Sequence, residues 1–271
     1  MNKSELLNHT KNLMEIGIDT VRNSPQLTAE TGTYDPKGTP TIEMDKTMER
    51  VFKEYIQKNN LPVVMYSEDS VAVINMHANP EFTFVVDALD GSTNYRIGQG
   101  LRPFGSFFAF FDSLTPQLKN VVVAGAVEYK HNLGFLYTEG RTIDKDNNEI
   151  HLKADWQLKP VSPTIDLEIY QEGYHIFAPL DRNFRILNQG ALVYSLVCVL
   201  SNASALMGGI AVKSEEIGAI YGLITGAGGV VVDLQGNDIG NQPLDHTKGY
   251  EILAGNKSIV EYALSYVKRN R

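Results

Sequence analysis

Two aspartates three positions apart, in Val85-Val-Asp-Ala-Leu-Asp-Gly-Ser-Thr-Asn-Tyr95, are the residues whose spacing bears most directly on chemistry. An apolar run delivers Asp87 and Asp90, and Gly91, Ser92 and Thr93 follow at once, a composition suited to a tight turn that opens a helix. A chain turning there can aim Asp87, Asp90 and the Leu89 carbonyl at one point. The backbone N–H groups of Gly91, Ser92 and Thr93 would face the same point. Hard divalent cations take oxygen ligands, and phosphate takes the free N–H groups of a helix start, so one turn could serve both. The alternative is structural, with Asp90-Gly91 as a hairpin turn and Asp87 as a cap on a strand end. An EF-hand is excluded, because its loop needs acidic or amide ligands at alternate positions, a central glycine and a closing glutamate.

Three further acidic segments pose the same choice. Ser67-Glu-Asp-Ser70 follows an apolar run, and Glu68 becomes a shared ligand if that run is a strand parallel to the one ending at Asp87; otherwise it is a solvated loop. In Lys37-Gly-Thr-Pro-Thr-Ile-Glu-Met-Asp45, Asp45 falls in the first turn of a helix, where it either complements the helix dipole or helps hold and deprotonate a water. In the segment from Lys213 to Gly229, acids open a helix that ends in Gly-Gly. Glu215 or Glu216 is there a metal ligand or a dipole partner.

The elements that must position these groups follow from apolar periodicity. Helices are expected over residues 4–22, 42–59, 190–202, 215–227 and 257–268. Strands are expected over 61–66, 82–86, 104–112, 121–129, 133–138, 174–178, 204–212, 229–234 and 250–254, with 104–138 an antiparallel meander and 31–41 a loop or turn-rich hairpin. A polar, turn-rich stretch at 139–165 divides one domain into subdomains 1–138 and 139–271. Two short strands with acids at their C-terminal ends match the place where α/β sheets bind ligands, and the whole reads as an α/β (α+β) arrangement of two sheets layered with helices.

The bulk composition narrows the function. The 271 residues are 43% hydrophobic and 21% charged with a net charge of −8, which describes a folded chain able to bury a core. The acidic balance and the lack of an aromatic-basic pattern argue against a nucleic-acid partner. They leave a phosphorylated substrate open, since divalent cations invert the local charge of a carboxylate cluster. Cys198 is the single cysteine, so no intrachain disulfide forms, and its apolar surroundings predict a small buried core residue. No stretch reaches the roughly 20 apolar residues of a membrane span, and the first residues lack an apolar signal core. The expected location is the cytoplasm, with no membrane partner.

Together the four acidic segments resemble the inositol monophosphatase family, within the larger group that includes fructose bisphosphatases. The family signature Asp-Pro-Ile-Asp-Gly-Thr-Thr-Asn-Phe corresponds to Asp87-Ala-Leu-Asp-Gly-Ser-Thr-Asn-Tyr95, and its Glu-Glu-Ser to Glu68-Asp-Ser70. The Gly-Thr-Pro-Thr segment is similar to that of archaeal members with dual inositol monophosphatase and fructose bisphosphatase activity. The second signature, Trp-Asp followed by a small-residue helix and Ala-Gly-Gly, is similar to Glu215-Glu216 through Ala227-Gly-Gly229. Order and spacing agree from about residue 4 to residue 268.

The resemblance implies an α-β-α-β-α layered sugar-phosphatase fold and hydrolysis of a small phosphorylated polyol or sugar with two or three Mg2+ ions, or Mn2+. It assigns metal ligation to Glu68, Asp87, the Leu89 carbonyl, Asp90 and Glu216. Water activation falls to Asp45 and Ser92, with Glu68 among the catalytic groups, and phosphate binding to the amides of Gly91, Ser92 and Thr93. It also implies a homodimer. Three departures stand out: Ala88 replaces the usual proline, Glu216 is one methylene longer than the family aspartate, and the position of a family acid that contacts substrate hydroxyls falls near Gly209. A bisphosphatase alternative would use Arg182 and Arg185 for a second phosphate, and a non-catalytic binding role is the alternative of another class.

Overall fold

The computed structural model describes residues 1–24, 27–34, 40–68, 74–98, 101–154, 156, 163–168 and 171–267. In chain order the elements are α1 (Lys3–Asn23), β1 (Glu30–Tyr34), β2 (Pro40–Ile42), α2 (Glu43–Lys58), β3 (Val63–Ser67), β4 (Ile74–Asn75), β5 (Phe82–Asp90), α3 (Ser92–Gly98), β6 (Gly105–Phe111), β7 (Val121–Glu128), β8 (Leu133–Thr138) and β9 (Arg141–Asp144). Then follow β10 (Thr164–Glu168), α4 (Gln171–Phe177), β11 (Arg185–Leu187), α5 (Leu192–Leu200), β12 (Leu206–Val212), α6 (Ser214–Gly226), β13 (Val230–Val232), β14 (Tyr250–Gly255) and α7 (Lys257–Val267).

Alternation along the strands sorts their side chains into layers. The larger sheet has seven strands in the order β4-β3-β5-β6-β7-β8-β9; β6 to β8 form the expected antiparallel meander, which β5 and β9 extend on either side. One face carries Phe84, Val86, Phe108 and Phe110 against Leu6 and Leu13 of α1 and Met48 and Phe52 of α2. The opposite face carries Val85, Phe107, Ala109 and Phe111 against α5 and α6. The second sheet, β11-β10-β12-β14-β13, closes over the far side of those two helices with Met207, Ile252 and Ala254. Its outer face packs Ile165, Leu167 and Leu253 on Ile259, Val260 and Ala263 of α7. The result is the expected α-β-α-β-α sandwich. Enclosure between two sheets explains why α6 is apolar nearly all round. Gly218 lets α6 lie against the sheet, since a Cβ there would fall 2.6 Å from the Phe111 ring.

The expected strand at 174–178 is corrected. Tyr174-His-Ile-Phe-Ala has strand-forming side chains, but the chain is helical there and continues into a 3-10 turn, Ala178–Arg182. Phe177 and Leu180, three apart as helical spacing requires, are both buried. The strand is instead β10, ten residues earlier, straddling the end of the stretch expected to be turn-rich. The strand expected over 82–86 also runs further, through Asp90. Cys198 is half-buried rather than buried, one turn from the half-buried Tyr194.

Candidate metal centre

Two parallel strand pairs aim their C-terminal ends at one place. β3 runs parallel to β5 with Ser67 beside Val86, so Glu68 follows in register with Asp87. β10 runs parallel to β12 with Glu168 beside Gly209, and β12 leads through Lys213 into α6.

Asp87 and Asp90 could not share a face in a regular strand, because residues three apart alternate. Here the register against β6 shifts: Asp87 opposes Phe107 and Asp90 opposes Gly105, three residues against two. This β-bulge restores the parity, and both aspartates face α5 and α6. The Ala88 carbonyl inside the bulge accepts the Ser106 hydroxyl at 2.5 Å, and Ser106 is held in turn by the buried Tyr129 hydroxyl at 2.6 Å. The Leu89 amide donates to Asp87 Oδ1 at 3.0 Å. Gly91 ends the bulge at φ +80°, and a Cβ there would meet Ala191 Cβ at 2.8 Å, so both conformation and space require glycine. Tyr95 N–H donates to the Gly91 carbonyl at 2.9 Å and starts α3; the preceding amides of Ser92 and Thr93 have no partner within the helix.

Across from the bulge, Glu216 sits in the first turn of α6. Its Oε2 accepts the Lys213 backbone N–H at 2.7 Å. Asp90 Oδ2 accepts the Val193 N–H at 2.6 Å at the start of α5. Carboxylate oxygens of Asp87, Asp90 and Glu216 lie within 4.8 Å of one another, and all three residues are buried. Burial holds Asp87 well above the ordinary carboxylate range, and the Glu68 charge adds to it. Burial pushes Asp90 up to about 7 against the stabilising Val193 amide, and Glu216 up to about 8 against the attraction of Lys213.

These residues fit a hard divalent cation. The donors are all carboxylate oxygens, the type such ions select. Asp87 Oδ2 is buried without a hydrogen-bond partner, a costly state that coordination would relieve. Crowding three buried acids raises their pKa values through lost hydration and mutual repulsion, both of which a cation reverses.

The other sequence-derived candidates take distinct places. Glu68 pairs with the Lys213 ammonium, and its charge reaches Asp87 and Asp90. Asp45 caps α2 by accepting the Ile42 N–H at 2.7 Å and stands outside the trio. Ser92 is half-buried and Thr93 exposed. Glu215 turns away to His246, at 3.7 Å. That histidine accepts or donates at Nδ1 with Ser214 Oγ at 2.8 Å and stacks on Tyr66 with ring centroids 3.6 Å apart. Asp69 and Ser70, and Lys37, Gly38 and Thr39 of the Gly-Thr-Pro-Thr segment, lie outside the described residues. Arg182 and Arg185 are exposed, and Arg185 registers with Thr164 at the start of β10, about 13 Å along the strand from Glu168. That position sets Arg185 at the opposite end of β10 from Glu168.

Two groups were missed from sequence. Lys213 read only as the lead-in to a helix, although a cation at a helix N-terminus opposes the dipole and signals nearby acids. Glu168 lay just past the stretch expected to be turn-rich, in a segment to which no element was assigned. A Cβ at Gly209 would approach Glu168 Oε2 at 3.5 Å, and the Glu168 charge reaches Asp90 and Glu216. An acid therefore stands beside Gly209 after all, supplied by the neighbouring strand.

No protein-family model matches the chain, and no curated protein matches it significantly. Solved structures do. The extragenic suppressor protein suhB from Bartonella henselae superposes with a TM-score of 0.81 at 18% identity, covering 98% of this chain and 100% of its own. The inositol monophosphatase from Anabaena superposes at 0.78 with 17% identity, covering 100% and 98%. The chain has the inositol monophosphatase fold. An inositol monophosphatase–fructose 1,6-bisphosphatase shares that fold as well, with a TM-score of 0.77, 18% identity, and coverage of 96% and 98%. Within the inositol monophosphatase fold of this chain, the carboxylates at the ends of β3 and β5 and the start of α6 form the candidate centre. No helix among the described residues is long and apolar enough to cross a membrane.

Proposed function

We propose that this protein is a Mg2+-dependent phosphomonoester hydrolase acting on a small phosphorylated polyol or sugar, of the inositol monophosphatase type. The observation that carries the reading is the buried trio of Asp87, Asp90 and Glu216, with Asp87 Oδ2 unpartnered, at the ends of parallel strands. Names of fold neighbours agree with it, being those of inositol monophosphatases and a bisphosphatase.

In this reading Asp87, Asp90 and Glu216 would hold a divalent cation, with Mn2+ able to replace Mg2+, and Glu68 and the Leu89 carbonyl stand beside it. Bound ions would supply charge stabilisation for phosphoryl and leaving-group oxygens and acidify a water. The chain's own groups do the rest. The amides of Gly91, Ser92 and Thr93 orient the phosphate from the head of α3. Asp45 with Ser92 takes the proton of the attacking water. Glu168, beside Gly209, accepts a substrate hydroxyl, which favours a polyol over a phosphate ester lacking hydroxyls. The protein works as a cytoplasmic homodimer, which sedimentation and fractionation would check.

The test is a panel of phosphorylated polyols, sugars and bisphosphates supplied with Mg2+. Release of inorganic phosphate from polyol or sugar monophosphates is expected. Preference for a bisphosphate would favour the second reading, suggested by the name of one fold neighbour. No release from any ester would leave a non-catalytic binding role.

A further inference from the structure

Lys213 is the N-cap of α6, and it touches the carboxylate cluster twice. Its backbone N–H holds Glu216 at 2.7 Å, and its side-chain ammonium pairs with Glu68, 145 positions away in the chain. The ammonium's field is set by Glu68, Asp87 and Glu216 together. Its side chain is 23% exposed and that of Glu68 22%, so the pair lies at the mouth of the cluster rather than on open surface.

A lysine at a helix N-terminus faces the positive end of the dipole. The position is tolerable only because these carboxylates outweigh it. The trio of Asp87, Asp90 and Glu216 brackets one cation position, while the ammonium sits on Glu68 beside it, its charge reaching all three members of the trio. Two cations in adjacent carboxylate gaps repel strongly at short range, and an ammonium satisfies acceptor oxygens with its own N–H donors.

Building on the metal-dependent reading above, we propose that the Lys213 ammonium is a resident cation that takes the place of the divalent ion beside Glu68, so that this chain binds one divalent ion fewer than its carboxylates could hold. The remaining ion belongs to Asp87, Asp90 and Glu216. Lys213 then serves the cluster as a fixed single charge, with N–H donors directed toward the mouth where a phosphoryl oxygen would approach.

The test is Mn2+ binding to the whole chain, monitored by calorimetric titration and by electron paramagnetic resonance of free Mn2+. Lys213→Met removes the charge at nearly constant shape and is expected to bind one more Mn2+ per chain than the wild type. Lys213→Arg keeps the charge and is expected to match the wild type. Equal, non-zero stoichiometry in wild type and Lys213→Met overturns this proposal and leaves the metal-dependent reading standing. No binding to either overturns both. A crystal of the wild type in saturating Mn2+ decides the matter without any variant. An anomalous peak within Asp87, Asp90 and Glu216 with Lys213 still on Glu68 supports the proposal, and a peak between Glu68 and Asp87 with Lys213 displaced overturns it.

Discussion

Asp87 and Asp90 stand three residues apart on one strand yet face the same side of the sheet, because a single bulge against Phe107 and Gly105 restores their parity. The candidate centre depends on that bulge. A regular strand would bury one of the two carboxylates among the apolar core residues of α1 and α2.

The bulge is fastened by Ser106, whose hydroxyl links the Ala88 carbonyl to the Tyr129 hydroxyl. Ser106→Ala leaves both buried groups without that partner, at a cost of about 1–3 kcal/mol. Urea unfolding should register the loss, and Mn2+ affinity should fall with it as the two aspartates lose their alignment. A change in stability below about 0.5 kcal/mol, the range of ordinary surface substitutions, would show that Ser106 does not hold the bulge.

Stability of the metal-free protein should fall as pH rises. Asp90 titrates at about 7 and Glu216 at about 8 in the folded state, against 3.8 and 4.5 ordinarily. Between those limits the folded chain holds protons that the unfolded chain has released, so raising the pH favours unfolding. Moving a carboxyl group's titration by one pH unit is worth about 1.4 kcal/mol, and the combined loss from about pH 5 to pH 8.5 is expected to be on the order of a few kcal/mol. Thermal unfolding in EDTA should show it, and saturating Mg2+ should flatten it. A metal-free protein that grows more stable over this range would contradict the assignment.

Asp87→Asn should separate function from stability. Replacing the carboxylate by a neutral amide removes the repulsion among the crowded acids, and the metal-free fold is expected to be at least as stable as the wild type in urea unfolding. Phosphatase turnover should fall at least about 100-fold, since a lost ligand forfeits several kcal/mol of charge stabilisation. Unchanged turnover in this variant would remove Asp87 from the site.

Glu168 should act on substrate binding. Glu168→Gln weakens a charge-assisted hydrogen bond to a substrate hydroxyl, and KM is expected to rise about 10-fold with kcat within about 3-fold. Equal KM values in the two proteins would show that no substrate hydroxyl reaches Glu168.

Much of this was legible in the sequence, and the exceptions have physical causes. Two sheets layered with helices followed from apolar runs such as 121–129 and 215–227, whose length and pattern match β7 and α6, and the five-layer order followed from the family resemblance. Asp87 and Asp90 stood out because acids directly after an apolar run are conspicuous, whereas the choice of Glu216 over Glu215 came from the family resemblance. The bulge was not legible, since it is a property of β5 against β6 and not of either alone. The strand β10 was missed because it follows a polar stretch, and Tyr174-His-Ile-Phe-Ala offered better strand formers; Glu168 was lost with it. Lys213 was passed over because its partner, Glu68, comes from a strand far away in the chain.

The central claim is that buried carboxylates hold a divalent cation for phosphoester hydrolysis. Its most direct test is inorganic phosphate release from a small polyol or sugar monophosphate, measured in Mg2+, after EDTA, and after Mg2+ is restored. Turnover that vanishes in EDTA and returns with Mg2+ is the expected result. Turnover that persists undiminished in EDTA would contradict it.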